Sequence, residues 1–203
     1  MHIKKKIKTM VFGIVILGAG VMALVIPVFL NNEEKKKELS RIDNYIVETS
    51  YLKKDILHEE TLKDIPDEEY IMVLEIPKIN LKKGLYPKNY YKNSINYNVA
   101  IMEESTMPDE QNNNLVLAAH NGNSKISFFD KLDQLQKNDE AYIYYQGVKY
   151  IYKVDEIYDV FKDGSIEIKR NQNKNTLTLI TCRKNTKDKQ FVIILYLMVK
   201  ENY

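Results

Sequence analysis

This chain carries one cysteine and three histidines, His2, His58 and His120. Cys182 closes the run "TLTLITC" and His120 closes the run "LVLAAH", so each stands where an apolar, strand-like stretch ends and a polar one begins. A strand end at a barrel rim holds a side chain rigidly while leaving it reachable. A free thiol is mostly protonated at neutral pH, and a nearby imidazole stabilises the thiolate and shuttles the proton. The pair could therefore perform nucleophilic acyl chemistry. Taken singly, each residue has a plainer reading: a buried cysteine acts as a small hydrophobe, and a histidine at a strand end is commonly satisfied by its surroundings. The same inventory cannot assemble a zinc site from spaced Cys and His ligands, and no calcium loop signature is present. With 30 basic and 28 acidic residues and a formal charge of +2, no stripe of one sign suggests a nucleic-acid partner.

The elements that would position the pair are short runs rich in Ile, Val, Tyr and Thr, divided by polar turns. Candidate strands are "YIMVLEI", "INYNVAIM", "NLVLAAH", "EAYIYY", "VKYIYKVDEIYDV", "TLTLITC" and "QFVIILYLMV". The stretch "KISFFDKLDQL" has helical periodicity, with Ile126, Phe129, Leu132 and Leu135 three apart, and "YQG" reads as a tight hairpin. Seven or eight strands with one short helix predict a mainly β fold, closed or nearly closed into a barrel. The 15 tyrosines suit half-buried strands better than a stacking platform, since Tyr142, Tyr144, Tyr150 and Tyr152 alternate as strand faces do.

Ahead of the barrel, Met10 to Leu30 is a run of 21 residues without a charge. As a helix it would span roughly 30 Å, enough to cross a bilayer, and it is longer than the apolar region of a cleaved signal peptide. The basic residues before it are balanced by Lys35, Lys36, Lys37 and Arg41 after it. A short tail and a long polar domain then favour the N-terminus inside and the domain outside. Residues 33–60 lack Gly and Pro and place Leu39, Ile42, Ile46, Leu52 and Ile56 at mostly helical spacings, which predicts a helical stalk packed on the domain. The expected organisation is a cytoplasmic tail over 1–9, a transmembrane anchor over 10–30, a stalk over 31–66 and a β-barrel over 67–203. An unpaired cysteine in an extracellular domain points to a free reactive thiol or an intermolecular bridge.

Three stretches, "EIPKINL", "LAAHNGNSKISFFDKLDQLQKNDEAYIY" and "TLTLITC", together resemble the sortases, membrane-anchored cysteine transpeptidases of Gram-positive bacteria. The resemblance covers roughly residues 69–200. It implies an eight-stranded β-barrel with His120 and Cys182 as the catalytic pair. It also implies acyl transfer from a C-terminal LPxTG-like sorting motif of secreted proteins, through a Cys182 thioester, to a peptidoglycan cross-bridge amine or a pilin lysine at the cell wall. No redox or group-carrier cofactor is required for such an exchange. Thr181 would help shape the substrate groove, and residues 158–175 correspond to the loop that grips the motif.

One departure stands out. Sortases carry an arginine on the strand after the cysteine, whereas "CRKNTKDKQFVI" places Gln190 there. The arginines of the chain are Arg41, Arg170 and Arg183. Arg183 would face away from the thiol if the strand runs through both residues, and could swing back if the strand ends at Cys182. Lys189 is one residue out of register unless a bulge restores its face. The expectation is that Gln190 sits in the arginine's place, with Arg183 or Lys189 supplying positive charge. Two rival readings remain: a cysteine peptidase that hydrolyses the same motif, and a catalytically impaired envelope scaffold.

Overall fold

The computed structural model describes residues 2–55, 69–164 and 166–203, with the side chains of the N-terminal helix described over 19–51. That helix, α1, spans His2–Asp55. Eight strands follow: β1 (Met72–Ile76), β2 (Leu81–Leu85), β3 (Ala100–Ile101), β4 (Asn114–Ala118), β5 (Glu140–Tyr145), β6 (Val148–Phe161), β7 (Thr176–Cys182) and β8 (Lys189–Asn202). They form one sheet in the order β2-β1-β5-β6-β8-β7-β4-β3. All pairs are antiparallel except β4 with β7, which run parallel.

The sheet curls into a nearly closed barrel, and side chains manage its two edges. On β2, the Gly84 carbonyl accepts a 2.7 Å hydrogen bond from the Asn98 amide, just ahead of β3. The outer edge of β3 is covered by Asn93, whose amide accepts from Ile101 N–H at 2.7 Å and donates to Ile101 C=O at 2.9 Å. One asparagine thus supplies what a ninth strand would, which removes a template for edge pairing. Inward-facing residues, among them Leu74, Leu117, Phe129, Ile143, Leu179 and Ile193, form the main core. Eight strands enclose an interior that side chains of this size fill.

Three sequence expectations within the barrel change. The strand expected over "INYNVAIM" shortens to Ala100–Ile101, after turns over 95–97. The stretch "KISFFDKLDQL" is not an α-helix but a series of turns ending in one 3₁₀ turn at Leu132–Gln134. Its period of three is that of the 3₁₀ helix, in which residues i and i+3 eclipse. Phe129, Leu132 and Leu135 are accordingly all buried, joined by Leu132 N–H to Phe129 C=O and Leu135 N–H to Leu132 C=O bonds of 3.2 Å. Strand β2, "LKKGL", was not foreseen, because Lys-Lys-Gly reads as a turn. Its glycine is sterically required: a Cβ on Gly84 would lie 2.2 Å from the Tyr70 ring. The hairpin at "YQG" does form, with Gln146 (φ 48°) and Gly147 (φ 71°) as the two positive-φ residues of a type I′ turn.

The chain divides into two compact units, and the division falls inside α1, after Arg41. From Ile42 onward the helix belongs with the barrel. Ile42 is fully buried against Tyr70, Val73 and Tyr86, and the Tyr45 hydroxyl donates to Ile71 C=O at 2.5 Å. In the N-terminal unit, the described apolar residues Val21 to Leu30 are exposed. The membrane-crossing helix expected over Met10–Leu30 is not what the described side chains show: among them, no helix is long and apolar enough to cross a membrane. The reason is where the described part lies, since Glu33, Glu34 and Lys35 follow soon after Leu30. The side chains of 10–18, Leu52 and the stalk beyond Asp55 lie outside the described residues.

Candidate active site

The parallel β4–β7 ladder brings the two candidate residues, His120 and Cys182, to the same end of the sheet. Its last paired positions are Ala118 and Ile180, and His120 and Cys182 each lie two residues further on. The segments stay joined past the ladder. Ala119 N–H donates to Ile180 C=O at 3.3 Å, the Thr181 hydroxyl donates to Ala119 C=O at 2.7 Å, and the Asn121 amide donates to Cys182 C=O at 3.0 Å. Thr181 is buried and ties the two strand ends together. His120 is half-buried, its Nε2 3.4 Å from the Asn96 amide oxygen.

Cys182 is half-buried and free, on the outer face of the barrel. Alternation along β7 sends Leu177 and Leu179 into the core and Ile180 outward, and Cys182 shares the parity of Ile180. Ile180, Val116, Val192 and Ile194 form an apolar floor beside the thiol. The segment after β6 walls this floor. Ile166 and Ile168 pack on it, the Tyr158 hydroxyl accepts from Lys169 N–H at 2.8 Å, and the Tyr196 hydroxyl accepts from Asn171 N–H at 2.8 Å. A thiol and an imidazole at joined strand ends, beside an apolar cluster covered by a pinned loop, form an arrangement in which the thiol can be acylated by a carbonyl compound.

The three residues considered as substitutes for an arginine separate by face. Gln190 pairs with Cys182 across the β7–β8 ladder, so both stand on one face. Arg183 continues that ladder by donating its N–H to Lys189 C=O at 3.0 Å, and its side chain takes the opposite face. There its guanidinium stacks on Phe191 and its Nε lies 3.4 Å from the Asp159 carboxylate. Lys189 lies over the Phe161 ring on that same face. Asn96, Asn121 and Lys162, whose Nζ is 3.2 Å from Cys182 Sγ, were not foreseen. All three sit in loops or at a strand end far from their partners in sequence, where no local pattern signals them. Among the described residues, no cluster of His, Cys, Asp and Glu could hold a metal ion.

The sortase domain family matches residues 74–197, more than half of the chain. This chain belongs to the sortase family. Its fold is that of solved sortases: a sortase D5 transpeptidase of Clostridium perfringens (TM-score 0.62, 21% identity) covers 80% of this chain and 98% of its own. Sortase C-1 of Actinomyces oris (0.59, 22%) covers 82% and 99%, and sortase A of Listeria monocytogenes (0.56, 21%) covers 66% and 90%. No curated protein matches the chain.

Proposed function

We propose that this sortase is a cysteine transpeptidase. The observation that carries the reading is the joining of the His120 and Cys182 segments at one strand end, beside an apolar cluster. In the first half-reaction the Cys182 thiol passes its proton to His120, and the sulfur attacks the carbonyl carbon of a sorting-motif peptide bond. The C–N bond breaks, His120 returns the proton to the leaving amine, and a thioester remains. In the second, an amine from a cell-wall cross-bridge or a pilin lysine attacks the thioester and gives its proton to His120, and the C–S bond breaks. The Gln190 amide, whose residue shares the thiol's face, donates to the carbonyl oxygen as its charge develops. Arg183 and Lys189 hold the opposite face at this rim.

The charge-free run Met10–Leu30, exposed over its described part, supports a membrane anchor with the barrel outside the cell. The test is mass spectrometry of the full chain in detergent with a pool of LPxTG-like peptides, with and without an added amine, beside Cys182→Ala. An adduct absent from Cys182→Ala and converted by amine to a ligated product is the expected result. Adducts released only by water would replace transfer with hydrolysis, and no adduct with any peptide would favour an impaired scaffold.

A further inference from the structure

The face on which each residue of β6 lies is reset partway along the strand. Tyr150, Tyr152 and Val154 point into the core, and a register shift against β8 follows between Val154 and Glu156. Such a bulge moves every later residue to the other face. Beyond it, Tyr158 and Val160 join the outer apolar cluster, and Val160, Gln190 and Cys182 line up as one row across β6, β8 and β7. The next residue of that parity is Lys162. Its N–H donates to Asp188 C=O at 2.8 Å, so the ladder still holds there and the side chain leaves on the thiol's face.

Lys162 Nζ donates to Cys182 Sγ at 3.2 Å. Three other cations of this rim are engaged elsewhere: Arg183 with Asp159, Lys184 with Asp133, and Lys189 over Phe161. Among the described residues, Lys162 has no carboxylate in ion-pair contact. An uncommitted ammonium at the sulfur is thus a product of register and not of sequence proximity to the cysteine.

We propose that Lys162 is a catalytic residue of this sortase and supplies the positive charge of its active centre. The proposal rests on the acyl-transfer reading for its turnover effects. As the sulfur bonds to the carbonyl carbon, negative charge passes from Sγ to the carbonyl oxygen, which is then separated from Sγ by one atom. An ammonium with three rotatable donors can follow that charge without moving its stem. Lys162 gives up no proton in either half-reaction; it donates hydrogen bonds to whichever atom is negative. Gln190 supplies a neutral donor on the same face, and the two together replace a single guanidinium.

The test uses the fact that Cys182 is the only cysteine, so any thiol modification of the full chain reports this site. Methanethiosulfonates of opposite charge, sulfonatoethyl and trimethylammonioethyl, each form a mixed disulfide with Cys182 and release methanesulfinate. The ratio of their rates cancels the reactivity of the thiol and reads the local field. Lys162→Met should lower the anionic-to-cationic ratio about tenfold, Lys162→Arg should keep it, and added salt should shrink the difference. An unchanged ratio in Lys162→Met, with the thermal melt intact, overturns the proposal. With a peptide that acylates the wild type, Lys162→Met should lower kcat at least tenfold with little change in KM, and Lys162→Arg should restore most of it. Unchanged turnover in Lys162→Met would equally overturn it. The reagent ratio is read on the thiol itself, so it decides about Lys162 even if no peptide forms a thioester and the transpeptidase reading fails.

Discussion

The rim around Cys182 and the seam where the end of α1 meets β1, β5 and the C-terminus are built in opposite ways. Polar contacts to the thiol and imidazole at the rim are solvent-exposed: 3.4 Å between His120 and Asn96, and 3.2 Å between Lys162 and Cys182. Those of the seam are short and shielded. Tyr45 bonds Ile71 C=O at 2.5 Å, and Thr49 and Tyr203 share a hydroxyl contact of 2.8 Å. The Tyr144 hydroxyl bonds the Glu75 carboxylate, also at 2.8 Å. Hydrogen bonds of the first kind add little to stability, whereas leaving a buried partner unmade costs the full desolvation of that group. The seam's bonds therefore add to the stability that the barrel core supplies, while those of the rim add little.

The two regions should respond separately to substitution. Cys182→Ala or His120→Ala should abolish turnover, by a factor on the order of 1,000 or more, and leave urea denaturation unchanged. Gly84→Val should do the reverse. Its side chain would collide with the Tyr70 ring at the seam and destabilise the fold by about 1–3 kcal/mol in urea titration, while thiol modification of the folded fraction proceeds normally. A variant that altered both properties together would break the division between rim and seam.

Alkaline pH offers a gentler probe. Burial pushes Tyr150 up from 10.0 to about 12 and also raises Tyr45, Tyr144 and Tyr152. A raised folded-state value means that the native protein holds these protons more tightly than the unfolded chain. Their contribution is fully present below pH 10 and is lost as pH rises from 10 through 12 and beyond. The thermal midpoint should fall steeply above pH 10. Tyr45→Phe should flatten that fall and cost about 1 kcal/mol at neutral pH, because Ile71 C=O loses its donor. The smallest effect is expected at Asn96→Ala, where loss of a 3.4 Å contact should reduce kcat by a few-fold and leave the melt unmoved.

Some of this could be read from residue order alone. Alternation of β-branched residues marks "NLVLAAH" and "TLTLITC" as strands, and both became the ladder that sets His120 and Cys182 level. The hairpin at Gln146 and Gly147 was also legible, from a glycine set between two Tyr-rich strand runs. Strand β2 was not legible, because its Lys-Lys-Gly interior is a strand only by pairing with β1 and lying under Tyr70. The turns over 125–135 kept their period of three but not the α-helix, since burial of Phe129, Leu132 and Leu135 in the barrel end outweighed local propensity.

Residue order alone thus singled out a candidate thiol and imidazole and the strands that carry them, which follow from residue type and a period of two, while the likeness to sortases marked the departure at Gln190. It could not choose among the cations. Arg183 is next to Cys182 in the chain and stands on the other face, while Lys162 is 20 residues away and touches the sulfur. That choice depends on a single extra residue in β6, because side chains alternate strictly along a strand and only the pairing of β6 with β8 fixes where the alternation slips.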